Sequence, residues 1–226
     1  MRFITIAATL LTLAPLSITA HAAENCPTNL IPMYEGVVKN AAMLKADEEW
    51  RRSVADQGFT QQQGAQRAVD NGWTYFLDKG DPVTAMKRFN QGWLLDTDNG
   101  GAYHGMAVMS MVLNEMPDYA SCPFSADKVD ALFLKGVTSK DISPGAHADY
   151  GRFLVLQQRP EEAIAHLKTA LEMAPNHGQA MLHLAAAYEA VNDYGLACKW
   201  AKQALAAIPQ IPRDAADETC AKADNP

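Results

Sequence analysis

The segment His104–Met116, HGMAVMSMVLNEM, carries a histidine and four methionines within thirteen residues. Thioethers and imidazole are ligands that soft metals such as Cu(I) prefer. Methionine also fills irregular core space, so side-chain direction separates the two roles. At ~100° per residue, Met106, Met109 and Met116 share one side of a helix, while His104 and Met111 lie nearly opposite. One ion cannot readily collect all five. A periplasmic copper carrier using Met and His therefore stands as an alternative, and no metal site or cofactor is assigned. The other histidines, His147, His166, His177 and His183, show no H-E-x-x-H or similar ligand spacing and are expected on different faces or turns. Ser53 and Ser143 lack a nucleophile-elbow context. The NGG at Asn99–Gly101 is better read as a helix C-terminal cap than as a phosphate cradle. No residue nominates a reaction, so the chain is read as non-catalytic. An enzyme with an unassigned site is the second alternative.

The elements that must position these groups begin after a leader. Arg2, the apolar run FITIAATLLTLAPLSI and the A-x-A spacing of Ala20 and Ala22 predict a secretory signal peptide over residues 1–22, cut after Ala22. Its ~16 apolar residues fall short of the ~20 that a spanning helix needs. The expected location is thus the periplasm or the exterior. The formal net charge of −7 becomes −8 once the single Arg2 is removed. An acidic surface without a basic cluster argues against nucleic acid and anionic lipid as partners. Four cysteines remain, Cys26, Cys122, Cys198 and Cys220. An even count in an exported chain suggests two disulfides, and the count alone permits three pairings.

Two C-terminal segments superpose without a gap. ADYGRFLVLQQRPEEAIAHLKTALEMAP ends at Pro175, and HLAAAYEAVNDYGLACKWAKQALAAIP ends at Pro209, an offset of 34 residues. Gly151 falls on Ala185, Leu154 on Tyr188, Ala163 on Ala197, Ala170 on Ala204 and Pro175 on Pro209. The pattern resembles the tetratricopeptide repeat (TPR) family, a 34-residue helix-turn-helix unit. Local physics agrees. Small residues sit where the two helices of a hairpin approach, and Ile164, Leu167 and Leu171 recur at helical spacing. Pro160 opens a helix, with acids behind it that suit the N-terminal dipole.

The resemblance implies an all-α fold, a right-handed superhelical array of hairpins with capping helices. Four units are expected, at 66–99, 100–143, 144–177 and 178–211. Residues 23–65 form an N-terminal helical extension or cap, and residues 212–226 a C-terminal capping helix and tail. In the first unit Asp81 caps and Pro82 opens the second helix, with Ala85, Phe89 and Gly92 at the packing positions. Trp73 occupies the expected small-residue site of the first helix unless the turn holds one extra residue. Trp73 and Trp93 are read as core. The second unit fits only with about ten residues inserted in its turn, EMPDYASCPF, which places Cys122 on a projecting loop. In this register Cys198 and Cys220 lie on consecutive antiparallel helices and are expected to pair, leaving Cys26 for Cys122.

In TPR proteins the first helices of successive units line a concave groove for a peptide or a partner's helix. The resemblance places on that face His104, Val108 and Met111, then Arg152, Val155 and Leu156, then Gln179, Leu182 and Glu189. The groove lacks the lysine and asparagine set with which some cytosolic TPR co-chaperones clamp a carboxylate. Its apolar character suggests an amphipathic or extended apolar segment as ligand, bound chiefly through buried area, and the expected export makes its owner a partner protein of the cell envelope.

Overall fold

The structure, a computed structural model, describes residues 26–210 and 213–224. The signal peptide expected over residues 1–22 lies outside the described residues. Among these there are ten α-helices and no strand. They are α1 (Ala41–Asp56), α2 (Gln61–Leu77), α3 (Pro82–Leu95), α4 (Gly100–Asn114), α5 (Ala126–Thr138), α6 (Pro144–Leu156), α7 (Pro160–Met173), α8 (Gly178–Ala190), α9 (Tyr194–Ala207) and α10 (Arg213–Asp224). The helices α2/α3, α4/α5, α6/α7 and α8/α9 pack as hairpins, and each hairpin leans on the next.

Short polar side chains and prolines set the helix starts. Asp81 accepts from Thr84 N at 2.9 Å ahead of Pro82, Ser143 from Ala146 N ahead of Pro144, and Asp193 from Leu196 N. Each bond satisfies a backbone N–H that has no partner inside the helix. Asn99 does the same, accepting from Ala102 N at 2.8 Å. The NGG therefore opens α4 rather than closing α3, because the side chain supplies an acceptor where the helix needs one.

The first hairpin begins earlier than the repeat register places it. Thr60 and Gln63 form a reciprocal capping box, so α2 is one continuous helix from Gln61 rather than from residue 66. Gly72, not Trp73, takes the close-packing position, since a Cβ there would lie 2.6 Å from the Phe89 ring. The α2/α3 turn thus holds the extra residue, with Gly80 at φ +61°. Gly151 plays the same part in the third hairpin, where a Cβ would meet Leu167 at 2.4 Å. A methyl group at either site forces two helices apart or a core side chain off its rotamer.

Residues 26–40 form a strap over α3 with two short 3-10 turns, Thr28–Leu30 and Pro32–Tyr34. Fully buried Asn90 holds it: its side chain accepts from Met33 N at 2.8 Å and donates to Asn29 O and Ile31 O at 3.0 and 3.1 Å. Cys26 is bonded to Cys122, tying the strap to the inserted segment. Cys198 is bonded to Cys220, tying α10 to α9. A single helix, α1, covers the other end of the array, with Val54 buried against Ala65 and Leu95.

Candidate functional site

The first helices of the four hairpins, α2, α4, α6 and α8, do not meet evenly. Helix α6 lies closely along α8 but touches α4 at few points. The chain leaves α4 at Asn114 and takes a detour, including the turn Pro117–Tyr119, before α5 starts at Ala126. The Cys26–Cys122 bond holds that detour, and buried Phe124 tucks beneath it. Between α4, the start of α5 and α6 a cleft of about 570 Å³ remains.

The cleft is apolar at its base and polar at its rim. Val108, Met111 and Val112 of α4 face Phe124 and Val129 on one side and Phe153 and Leu156 of α6 on the other. Glu115 and Arg152 stand at the rim, both exposed, and neither forms an ion pair among the described residues. Leu156 is 59% exposed, a large apolar side chain left to solvent at the edge of an apolar depression. Isolated exposed leucines are ordinary, whereas one continuous with an apolar cleft marks a binding surface.

The nine residues expected on the concave face divide. Val108, Met111, Arg152 and Leu156 line the cleft. Val155 is half-buried and packs against the main core. Gln179, Leu182 and Glu189 lie on α8, outside it, and Glu189 is held by Lys222 of α10. His104 departs from expectation: it is buried, with 6% of its surface exposed. Its Nε2 sits 2.8 Å from Asp149 Oδ2, and its ring lies 4.9 Å from that of Trp73. A carboxylate on the neighbouring helix and an indole above draw the imidazole into the junction.

The methionines separate as well. Met106 and Met109 are fully buried, Met116 packs partly buried against the core, and Met111 faces the cleft. Among the described residues no group of three or more His, Cys, Asp or Glu side chains converges in metal-holding geometry.

Sequence spacing missed one pairing. His147 and His166, expected on separate faces, meet with Nδ1 atoms 3.0 Å apart. Burial holds both below the ordinary histidine range, and His166 adds its charge against protonation of His147. Beside them Tyr150 donates to Asp130 at 3.0 Å, and Arg159 bridges Asp130 and Glu162 at 2.8 and 2.7 Å. Burial, then the Asp130 bond, pushes the Tyr150 hydroxyl up to about 12. The α6/α7 hairpin brings the two histidines together and α5 adds Asp130, and no local motif announces the group. On α8, burial pushes His183 down to about 4, with Arg152 adding to the effect.

Residues 154–218 match the tetratricopeptide repeat family. The helical hairpin array around that segment has the fold of tetratricopeptide repeat proteins. Among solved structures it is similar to that of PilF from Pseudomonas aeruginosa, at 19% identity and TM-score 0.56 over 71% of this chain and 68% of that one. It is similar to PilW, described as a widely conserved type IV pilus biogenesis factor, at 24% identity and TM-score 0.54 over 66% and 64%. It is also similar to YrrB, a TPR protein with an unusual peptide-binding site, at 17% identity and TM-score 0.55 over 79% and 86%. At these identities the likeness establishes the fold. A comparison with curated protein sequences gives no match.

Proposed function

We propose that this chain is a non-catalytic scaffold of the periplasm that holds a peptide or helix of an envelope partner protein in the cleft between α4 and α6. The observation that carries the reading is the cleft itself, where adjacent repeats part and leave an apolar base open beneath unpaired Glu115 and Arg152. Apolar side chains of a partner gain by leaving water there, at about 25 cal/mol per Å², while the two rim charges set orientation more than affinity. The signal-like N-terminus and the two disulfides support export. Peptide binding by YrrB and the pilus role of PilW, both TPR proteins, support a protein-binding role.

Leu156→Glu with Arg152→Glu tests the reading, because both side chains are exposed and their loss leaves the core intact. Affinity capture from native periplasm with wild-type protein is expected to recover a partner that the double variant recovers at least tenfold less. Equal recovery by a variant with unchanged helical circular dichroism would overturn the cleft.

A further inference from the structure

His147 of α6 and His166 of α7 meet across their hairpin, with Nδ1 atoms 3.0 Å apart and ring centroids 5.2 Å apart. A hydrogen bond joins them, so one Nδ1 carries a proton and the other accepts it. Neither Nε2 has a partner among the described residues. His147 is buried and His166 half-buried, and neither lines the cleft between α4 and α6. The other described histidines are committed singly. His104 Nε2 is bonded to Asp149, His177 Nδ1 accepts from Ala180 N at 3.2 Å to cap α8, and His183 is buried near Arg152. Only the α6/α7 hairpin brings two imidazole nitrogens together.

Their spacing is that of two ligands on one metal ion. Imidazole nitrogens lie about 2.0–2.1 Å from Zn²⁺. Two of them at neighbouring positions, at angles of about 90–109°, are then about 2.8–3.4 Å apart, and 3.0 Å falls within that range. Coordination needs the neutral ring, and burial favours that form in both histidines. The ring that held the Nδ1 proton carries it on Nε2 instead, by exchange with water. Both Nδ1 lone pairs then face the ion, and no net proton is released. Nearby charge also favours a cation, since Asp130 and Glu162 together outweigh Arg159. Glu162 stands one helical turn before His166, but Arg159 holds it, and no third side chain of the described residues converges on the pair.

We infer that His147 and His166 chelate a divalent transition-metal ion such as Zn²⁺ through their Nδ1 atoms, with water completing the shell and the ion clamping α6 to α7. Imidazole suits Zn²⁺ and Cu²⁺, whereas Mg²⁺ and Ca²⁺ call for oxygen ligands. The site does not depend on the reading of the cleft.

The test uses the full chain with both disulfides formed, without a histidine tag and freed of metal by a chelator. Calorimetric titration with Zn²⁺ is expected to give one site per chain in the micromolar range, and titration with Mg²⁺ none. His147→Gln and His166→Gln are each expected to weaken Zn²⁺ at least tenfold. His177→Asn, which keeps a capping acceptor, should leave it unchanged. Because the glutamine variants also lose the hydrogen bond, long-range ¹H–¹⁵N spectra of the wild type supply a second readout. Zn²⁺ should shift Nδ1 of His147 and His166 and leave their Nε2 atoms protonated. Zn²⁺ binding weaker than about 1 mM, full affinity in His166→Gln, or shifts confined to other histidines would overturn the site.

Discussion

The junction of α6 with α8 and the junction of α4 with α6 join the same kind of hairpin and come out differently. Along α8, alanines at 180 and 187 and Leu184 are fully buried, and small side chains let the helices approach closely. Between α4 and α6 the approach is sparse, and long side chains join the two hairpins instead, most of them from α5. Phe133 stacks on Tyr150 at 5.3 Å and lies 5.4 Å from Phe153, His104 reaches Asp149, and Asp130 reaches Tyr150 and Arg159. A tight junction makes a wall, and a bridged one leaves a cleft. The inserted turn and its disulfide account for the difference, because they hold the end of α4 and the start of α5 where a short turn would draw them together.

The largest effect is expected from the bond that holds the detour. By the chain-entropy estimate, closing 96 residues stabilises by about 4–5 kcal/mol and closing 22 by about 3. Cys26→Ser with Cys122→Ser should therefore lower the urea unfolding free energy more than Cys198→Ser with Cys220→Ser. It should also speed amide exchange in residues 115–125, which the second pair leaves unchanged. The reverse ranking would show that the inserted segment does not depend on its bond.

Phe133→Ala comes next. Removing a fully buried ring costs about 3–4 kcal/mol, here at the bridged junction. Urea unfolding followed by tryptophan fluorescence, with Trp50, Trp73 and Trp93 before the junction and Trp200 after it, should split into two transitions. Leu184→Ala at the tight junction should lower stability within one transition. A single transition in both variants would remove the distinction between the junctions.

The smallest effect concerns His183, which faces Arg152, Asp149 and His177. Its folded value of about 4 lies below the unfolded 6.5, so the neutral ring is the folded form. Its contribution is complete above pH 6.5 and is lost as pH falls from there through 4. Partial burial limits the contribution to about 1–2 kcal/mol. Between about pH 7 and pH 4.5, wild type should lose that much more stability than His183→Gln in parallel denaturant titrations. Equal losses would place the imidazole in solvent.

Much of the architecture was legible because packing in an array of helical hairpins is local. The 34-residue offset, Pro82 and Pro160 at helix starts, and the insertion near Cys122 all follow from residues close in the chain. Asn99 was misassigned, since asparagine before glycine serves helix ends of either kind, and only the bond to Ala102 N distinguishes them. Of the nine groove residues, four line the cleft. His104 was misplaced because helical periodicity fixes its direction but not the carboxylate that Asp149 brings to it from forty-five residues away.

The sequence by itself thus determined the helices, their pairing into hairpins and the division of the methionines, all consequences of 3.6-residue periodicity and short turns. Tertiary structure alone decided how far each hairpin stands from the next. Spacing between repeats depends on the fit of side chains from segments distant in sequence, and at α4 and α6 that fit is bridged rather than closed. The cleft and the reach of His104 to Asp149 both arise at that level.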